Sequence, residues 1–208
     1  MKKIKILFIP LVALLFFAQN TNAQKKNLRL DLKYNYSVPV SGFNKDLISN
    51  NSPRGFEGAI MYHFNEQLSG GLGFGFQDYY EKFPRKIYAQ SKTQDVSAVI
   101  TNSIQTIPVM VKAQWIPVTK SSRLKPYLSL GAGANIINFD QYLGQFANSG
   151  ASINFIGQAG LGIRIPFDKN EIYSFTIGSN YNYAPYKKYG YKDLSSLNFQ
   201  AGISIKMK

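Results

Sequence analysis

His63 is the only histidine and the chain has no cysteine. The side chains most used for general-base catalysis, thiol chemistry and transition-metal ligation are thus reduced to one imidazole. No metal partner stands at ligand spacing from it, so a structural, hydrogen-bonded role is expected of His63. Gly71, Gly73 and Gly75 are spaced by two, which departs from G-x-G-x-x-G and puts all three on one face of an extended strand, so no phosphate-cradling loop is expected. Two other groups hold the remaining chemistry. Arg29, Lys33, Lys112, Arg164 and Lys206 are bases that share the polar faces of extended segments with Asp31 and Glu57; enclosed together, such charges persist only when paired or hydrated. Tyr181, Tyr183, Tyr186, Lys187, Lys188, Tyr189, Tyr191 and Lys192 crowd rings and ammonium groups into one stretch. That mixture suits stacking on sugars and pairing with phosphates or with a protein partner. The inventory predicts no enzyme activity and no cofactor.

The elements that must position these groups are legible as alternation. From Leu28 to Val38, Leu28, Leu30, Leu32, Tyr34, Tyr36 and Val38 take one face and Arg29, Asp31, Lys33, Asn35 and Ser37 the other. A period of two is that of a strand, whereas a helix would scatter both sets around its circumference. The pattern recurs over 56–64, 68–76, 107–115, 128–136, 155–165, 173–183 and 197–207. Eight such segments of about 9 to 11 residues are each long enough to cross a bilayer when tilted. Pro108 lacks a ladder donor, and a local bulge is expected there. The connections alternate between short (65–67, 116–125, 166–171) and long (39–54, 78–103, 137–152, 184–196), with both chain termini expected on the short side. That layout predicts an all-β fold: an eight-stranded, antiparallel, up-and-down transmembrane β-barrel.

A soluble barrel with the same strands fails on volume. Its interior holds roughly a dozen side chains in layers, far fewer than the large apolar residues present, so these must face outward. A soluble sandwich would expose charged and polar faces, whereas here the opposite faces carry Gly71, Gly73, Gly75, Gly131, Gly133, Gly160, Gly162, Gly178 and Gly202. Glycine suits a narrow lumen or a bend in a curved sheet. Aromatic residues gather at both strand ends: Tyr34, Tyr36, Phe155, Tyr181 and Tyr183 toward the long loops, and Tyr62, Phe64, Trp115 and Tyr173 toward the short turns. Two such belts match the two membrane interfaces.

Lys2, Lys3 and Lys5, an apolar run from Ile6 to Ala18 and a short polar stretch ending Thr21-Asn22-Ala23 have the layout of a secretory signal peptide. The predicted division is a leader over 1–23 and a barrel over 24–208. With 45% hydrophobic and 17% charged residues and no cysteine, the chain is neither disordered nor a disulfide scaffold, and no thiol is available for lipidation. The net charge of +13 does not imply nucleic acid binding, because export and the lack of a concentrated basic groove argue against it.

The run Ser103-Ile-Gln-Thr-Ile-Pro-Val-Met-Val-Lys-Ala-Gln-Trp115, followed by Leu124-Lys-Pro-Tyr-Leu-Ser-Leu-Gly-Ala-Gly133, resembles the outer-membrane β-barrel domain family of Gram-negative bacteria, with PorT-like and OmpW-like small barrels as broad relatives. The resemblance implies an outer-membrane barrel assembled by the barrel-assembly machinery, although the terminal Lys206-Met207-Lys208 departs from the aromatic ending common in the family. The expected protein is a monomer in contact with outer-membrane lipid and lipopolysaccharide. It has a structural or interaction role through its long loops, with a possible protein partner there, and a lumen plugged by the seven charges named above. The alternatives are a narrow channel for small or apolar solutes and an accessory subunit of a secretion or uptake machine.

Overall fold

The computed structural model describes residues 27–91, 94–117, 123–143, 146–168, 171–188 and 191–207; the predicted leader lies outside them. Eight strands close into one antiparallel barrel: β1 (Leu28–Pro39), β2 (Gly55–His63), β3 (Leu68–Ser91), β4 (Gln94–Trp115), β5 (Lys125–Leu143), β6 (Phe146–Pro166), β7 (Tyr173–Tyr183) and β10 (Ser196–Lys206). Each strand pairs with its neighbours in sequence, and β1 pairs with β10 from Arg29 opposite Lys206 to Pro39 opposite Ser196, which seals the sheet. A short ribbon of β8 (Pro185–Lys188) and β9 (Tyr191–Asp193) and a helix α1 (Ser41–Asp46) lie in the long connections. Closure leaves no barrel edge and satisfies the backbone within the sheet, as a lipid environment requires.

The alternation sorts the side chains as expected. Leu32, Leu72, Val111, Leu130, Leu161 and Ile203 point outward and are exposed, while Arg29, Asp31, Glu57, Lys112, Gln158 and Arg164 are buried in the interior. Aromatic rings exposed on the outside include Tyr34, Phe155, Tyr181 and Tyr183 at one end and Phe64, Trp115 and Tyr173 at the other. The short turns are built by side-chain caps: Asn65 Oδ1 accepts the Gln67 and Leu68 amides at 2.8 and 2.7 Å, and Asp168 Oδ1 accepts the Ile172 amide at 2.9 Å.

Two expectations need correction. Pro108 introduces no bulge. The β3–β4 ladder passes from Phe74 opposite Val109 to Gln77 opposite Thr106 without a register shift, and the shifts fall instead between Phe83 and Lys86 and between Ala89 and Ser91. The ladder forgoes that one donor and keeps its register, and the proline ring fits because Pro108 faces Gly75, where an added Cβ would come within 3.3 Å of Pro108 Cγ. The segments 78–103 and 137–152 are not loops. β3 and β4 stay paired as far as Ser91 opposite Gln94, and β5 and β6 as far as Leu143 opposite Phe146. Four strands of 19 to 24 residues therefore continue past the 9 to 12 residues of β1, β2, β7 and β10.

Candidate functional site: a layered barrel interior

The inward positions of the strands build three layers. The first, toward the short turns, is ionic. Glu57 on β2 accepts from Lys112 Nζ on β4 at 2.5 Å, stands 3.9 Å from Lys33 Nζ on β1, and accepts from Gln158 Nε2 on β6 at 3.0 Å. Asp31 accepts from Ser204 Oγ and stands 3.9 Å from Arg164 Nη2, which also donates to Gln114 Oε1 at 2.7 Å. Arg29 is held by neutral oxygens, those of Ser174 and Ser204 at 3.2 and 3.4 Å and the Glu171 carbonyl at 3.2 Å. Lys206 lies across the β1–β10 seam in register with Arg29. The seven charges singled out in the sequence thus occupy one end of the interior, with Glu57 joined to two lysines and Asp31 to one arginine.

Residues outside that set complete the layer. Tyr127 on β5 is buried, with the Lys33 ammonium 5.5 Å and the Arg164 guanidinium 5.9 Å from its ring centre. Such a ring supplies attraction to both cations without adding a charge. The ring fits because β6 and β7 carry glycine beside it: a Cβ at Gly162 would lie 2.5 Å from the Tyr127 hydroxyl oxygen. Tyr127 belongs to the Lys125-Pro126-Tyr127 run and shares the inward parity of β5 with Lys125, Ser129 and Gly131, and that parity was the signal that could have found it. Lys125 pairs with Glu171 at the mouth. His63, on the inward face at the end of β2, leaves its Nε2 without a hydrogen-bond partner among the described residues. No group of three or more His, Asp or Glu side chains suited to a metal ion occurs among the described residues.

Above the charges lies a layer of carboxamides. Gln200 Nε2 donates to Asn35 Oδ1 at 3.3 Å, Asn35 Nδ2 to Gln77 Oε1 at 2.8 Å, and Gln77 Nε2 to Ser52 Oγ at 2.7 Å; Asn198 Nδ2 donates to Asn180 Oδ1 at 2.9 Å. A cavity of about 20 Å³ lies among Asn35, Gln77, Thr106, Asn135, Asn182 and Asn198, and one of about 10 Å³ lies beside Asp31, Lys33 and Lys112. Volumes of that order hold a single water molecule.

The third layer is apolar and was not foreseen. Inward residues of the extended strands, Tyr79, Ile104, Ile137 and Phe139, meet Phe43, Leu47 and Ile48 from the first long connection and Ala184, Tyr186 and Leu194 from the last in one buried cluster. Phe43 and Tyr79 contact edge to face with ring centres 4.7 Å apart. Polar bonds pin the first connection in place: Ser49 N and Oγ donate to the Glu81 carboxylate at 2.5 and 2.7 Å, Asn102 Nδ2 to the Leu47 carbonyl at 3.0 Å, and Tyr79 and Ser37 share a hydrogen bond of 2.6 Å. Tyr186 is 1% exposed, so its ring is part of this cluster and not of a presented binding surface. Lys187 and Lys188 lie on β8 and Tyr191 and Lys192 on β9, whereas Tyr189 lies outside the described residues.

The outer membrane protein beta-barrel domain family matches residues 8–206. The chain belongs to that family. Among solved structures of the same fold, Neisserial surface protein A is similar at TM-score 0.52 and 15% identity, over 86% of this chain and 96% of that one. The N-terminal barrel of Pseudomonas aeruginosa OprF aligns at TM-score 0.46 and 14% identity, over 85% and 96% of the two chains, and Escherichia coli outer membrane protein W at 0.44 and 15%, over 89% and 100%. No curated protein matches the chain. Membership places this barrel in the outer membrane. The family's fold accommodates the layered interior without requiring any particular activity of it.

Proposed function

We propose that this chain is a non-enzymatic, monomeric barrel of the outer membrane that acts in the envelope through its long loops and does not conduct through its lumen. The observation that carries the reading is the interior as the described residues fill it: ionic, carboxamide and apolar layers follow one another, with a cavity of about 20 Å³ among the carboxamides and one of about 10 Å³ within the ionic layer. A hydrated ion needs a continuous wet path, and the apolar layer opposes one by dewetting. Residues 1–23 act in this reading as the export leader, and the barrel-assembly machinery inserts the mature chain. Its partners are outer-membrane lipid and lipopolysaccharide, with a protein partner reached through the last loop, where Lys187, Lys188 and Lys192 supply the charge.

Single-channel recording in a planar bilayer tests the reading. The folded wild-type barrel should give no discrete steps at neutral pH. Regular steps would refute a closed lumen and favour a narrow channel for small solutes. Exchange of Lys187, Lys188 and Lys192 for Ser should weaken binding to lipopolysaccharide in a pull-down without altering conductance; unchanged binding would remove the loop from consideration.

A further inference from the structure

Resting on the membrane placement above, we propose that the outward face of β2 and β3 just beyond the apolar band, centred on Arg54 and Lys82, holds the phosphate of an outer-leaflet lipid. Side chains on this face are ordered by depth. Phe56 and Phe76 stack 6.1 Å apart on the lipid side. Tyr34 lies opposite Phe56 in the ladder and donates its hydroxyl to the Pro53 carbonyl, which fixes the approach of the chain to β2. One step further out, the Arg54 guanidinium sits 5.8 Å from the centre of the exposed Tyr80 ring. Lys82 follows two residues after Tyr80 on the same face and is exposed. The sequence from hydrocarbon to interface ring to cation matches the order of acyl chain, glycerol region and phosphate in a leaflet.

The charges favour an anion. Asp78 takes one arm of Arg54 at 3.3 Å, yet the Arg54 side chain remains 56% exposed. The carboxylate therefore orients the guanidinium fork while other N–H donors face outward, a geometry suited to phosphate oxygens. Across the β3–β4 ladder, Lys82 pairs in register with Thr101 and Tyr80 with Ser103, so a hydroxyl residue stands beside Lys82 on β4, and a further acid of this face, Asp140, lies one strand further away, opposite Ser103 on β5. Arg85, also exposed, adds positive charge beyond them. A membrane headgroup is preferred to a free anion because the aromatic residues lie directly beneath the cations, where they would pack on the acyl chains of the same molecule.

The experiment uses protein extracted from the outer membrane and held in micelles doped equally with phosphatidylcholine and phosphatidylglycerol, with retained lipid counted by native mass spectrometry. Wild type should retain phosphatidylglycerol in preference. Arg54→Gln and Lys82→Gln should each lower that preference about fivefold, and Lys82→Arg should keep it. Equal retention by wild type and the double variant Arg54→Gln/Lys82→Gln would overturn the site, as would displacement of the lipid by inorganic phosphate, which would identify a free-anion site. Both positions are exposed, and a heat-modifiable gel shift confirms that each variant is folded. Flotation with vesicles separates the two levels: protein left in the aqueous fraction contradicts membrane placement itself, whereas protein that floats yet shows no headgroup preference contradicts only the site.

Discussion

Glu57 is the residue on which the ionic layer turns. Two ammonium groups share its carboxylate, and both lysine side chains are less than one-tenth exposed. Glu57→Gln keeps the shape and the bond to Gln158 but leaves Lys33 and Lys112 without their counter-charge, which should cost about 3 to 5 kcal/mol. Urea unfolding in detergent, followed by fluorescence of the single tryptophan Trp115, would measure it. Adding Lys112→Met to that variant should restore much of the loss, because the remaining charges are then better matched; no recovery would mean that Glu57 acts through packing alone. Tyr127→Ala removes a ring between two cations and leaves a hole beside Gly162. A loss of about 3 kcal/mol is expected in the same assay, with a value near zero pointing to a site that collapses or fills with water. Asp31 and Glu57 were legible as members of a charge network from strand parity. Their particular partners were not, because which bases meet which acids depends on the stagger of strands that are far apart in sequence.

At the scale of elements, the first long connection packs into the end of the barrel, as a plug in the proposed reading, and is not a free loop. α1 is only six residues long and has no side-chain cap on its first turn, so its own propensity cannot hold it. The insertion of Phe43, Leu47 and Ile48 among inward residues of β3, β4 and β5 does so instead. Ile48→Asp would place an unpaired charge in that cluster and should make residues 40–54 sensitive to protease while the barrel keeps its heat-modifiable mobility. Resistance equal to wild type would show that the plug is held by its polar bonds. Glu81→Gln weakens those bonds at Ser49, and an intermediate sensitivity is expected, since hydrogen bonds to a charged group contribute roughly 1.5 to 3 kcal/mol. The plug was hidden in the sequence for a definite reason. Period two continues through Tyr79 and Glu81 on β3 and Ile137 and Phe139 on β5, but there the apolar residues move to the inward face. A reading that assigns apolar to lipid takes that inversion for the end of the strand.

For the whole molecule, the interior changes character along its axis, from charges through carboxamides to hydrocarbon. Most enclosed polar groups find a partner within their layer, which limits the cost of burial, whereas Arg29 Nε, His63 Nε2, Asn135 Oδ1, Arg164 Nε and Thr176 Oγ1 have none among the described residues. The combined variant Phe43→Ser/Ile48→Ser thins the apolar layer without adding charge. In bilayer recordings it should remain silent, because the ionic layer below is untouched, whereas the same pair combined with Glu57→Gln should show brief steps. Conductance from the first variant alone would assign the seal to the plug.

The sequence by itself determined the barrel: eight alternating segments, the side of each that meets lipid, the aromatic belts, and the charges and glycines of the interior. These follow from local rules, since parity is set by the pleat and the apolar face by the surrounding hydrocarbon. Only the tertiary structure decided how the interior is filled. The pairing of Glu57 with Lys112, the seat of Tyr127 beside Gly162, and the descent of residues 43–48 into the outer end of the barrel all depend on register and shear across the closed sheet. Those are properties of strand pairs rather than of any one strand, and periodicity along the chain does not encode them.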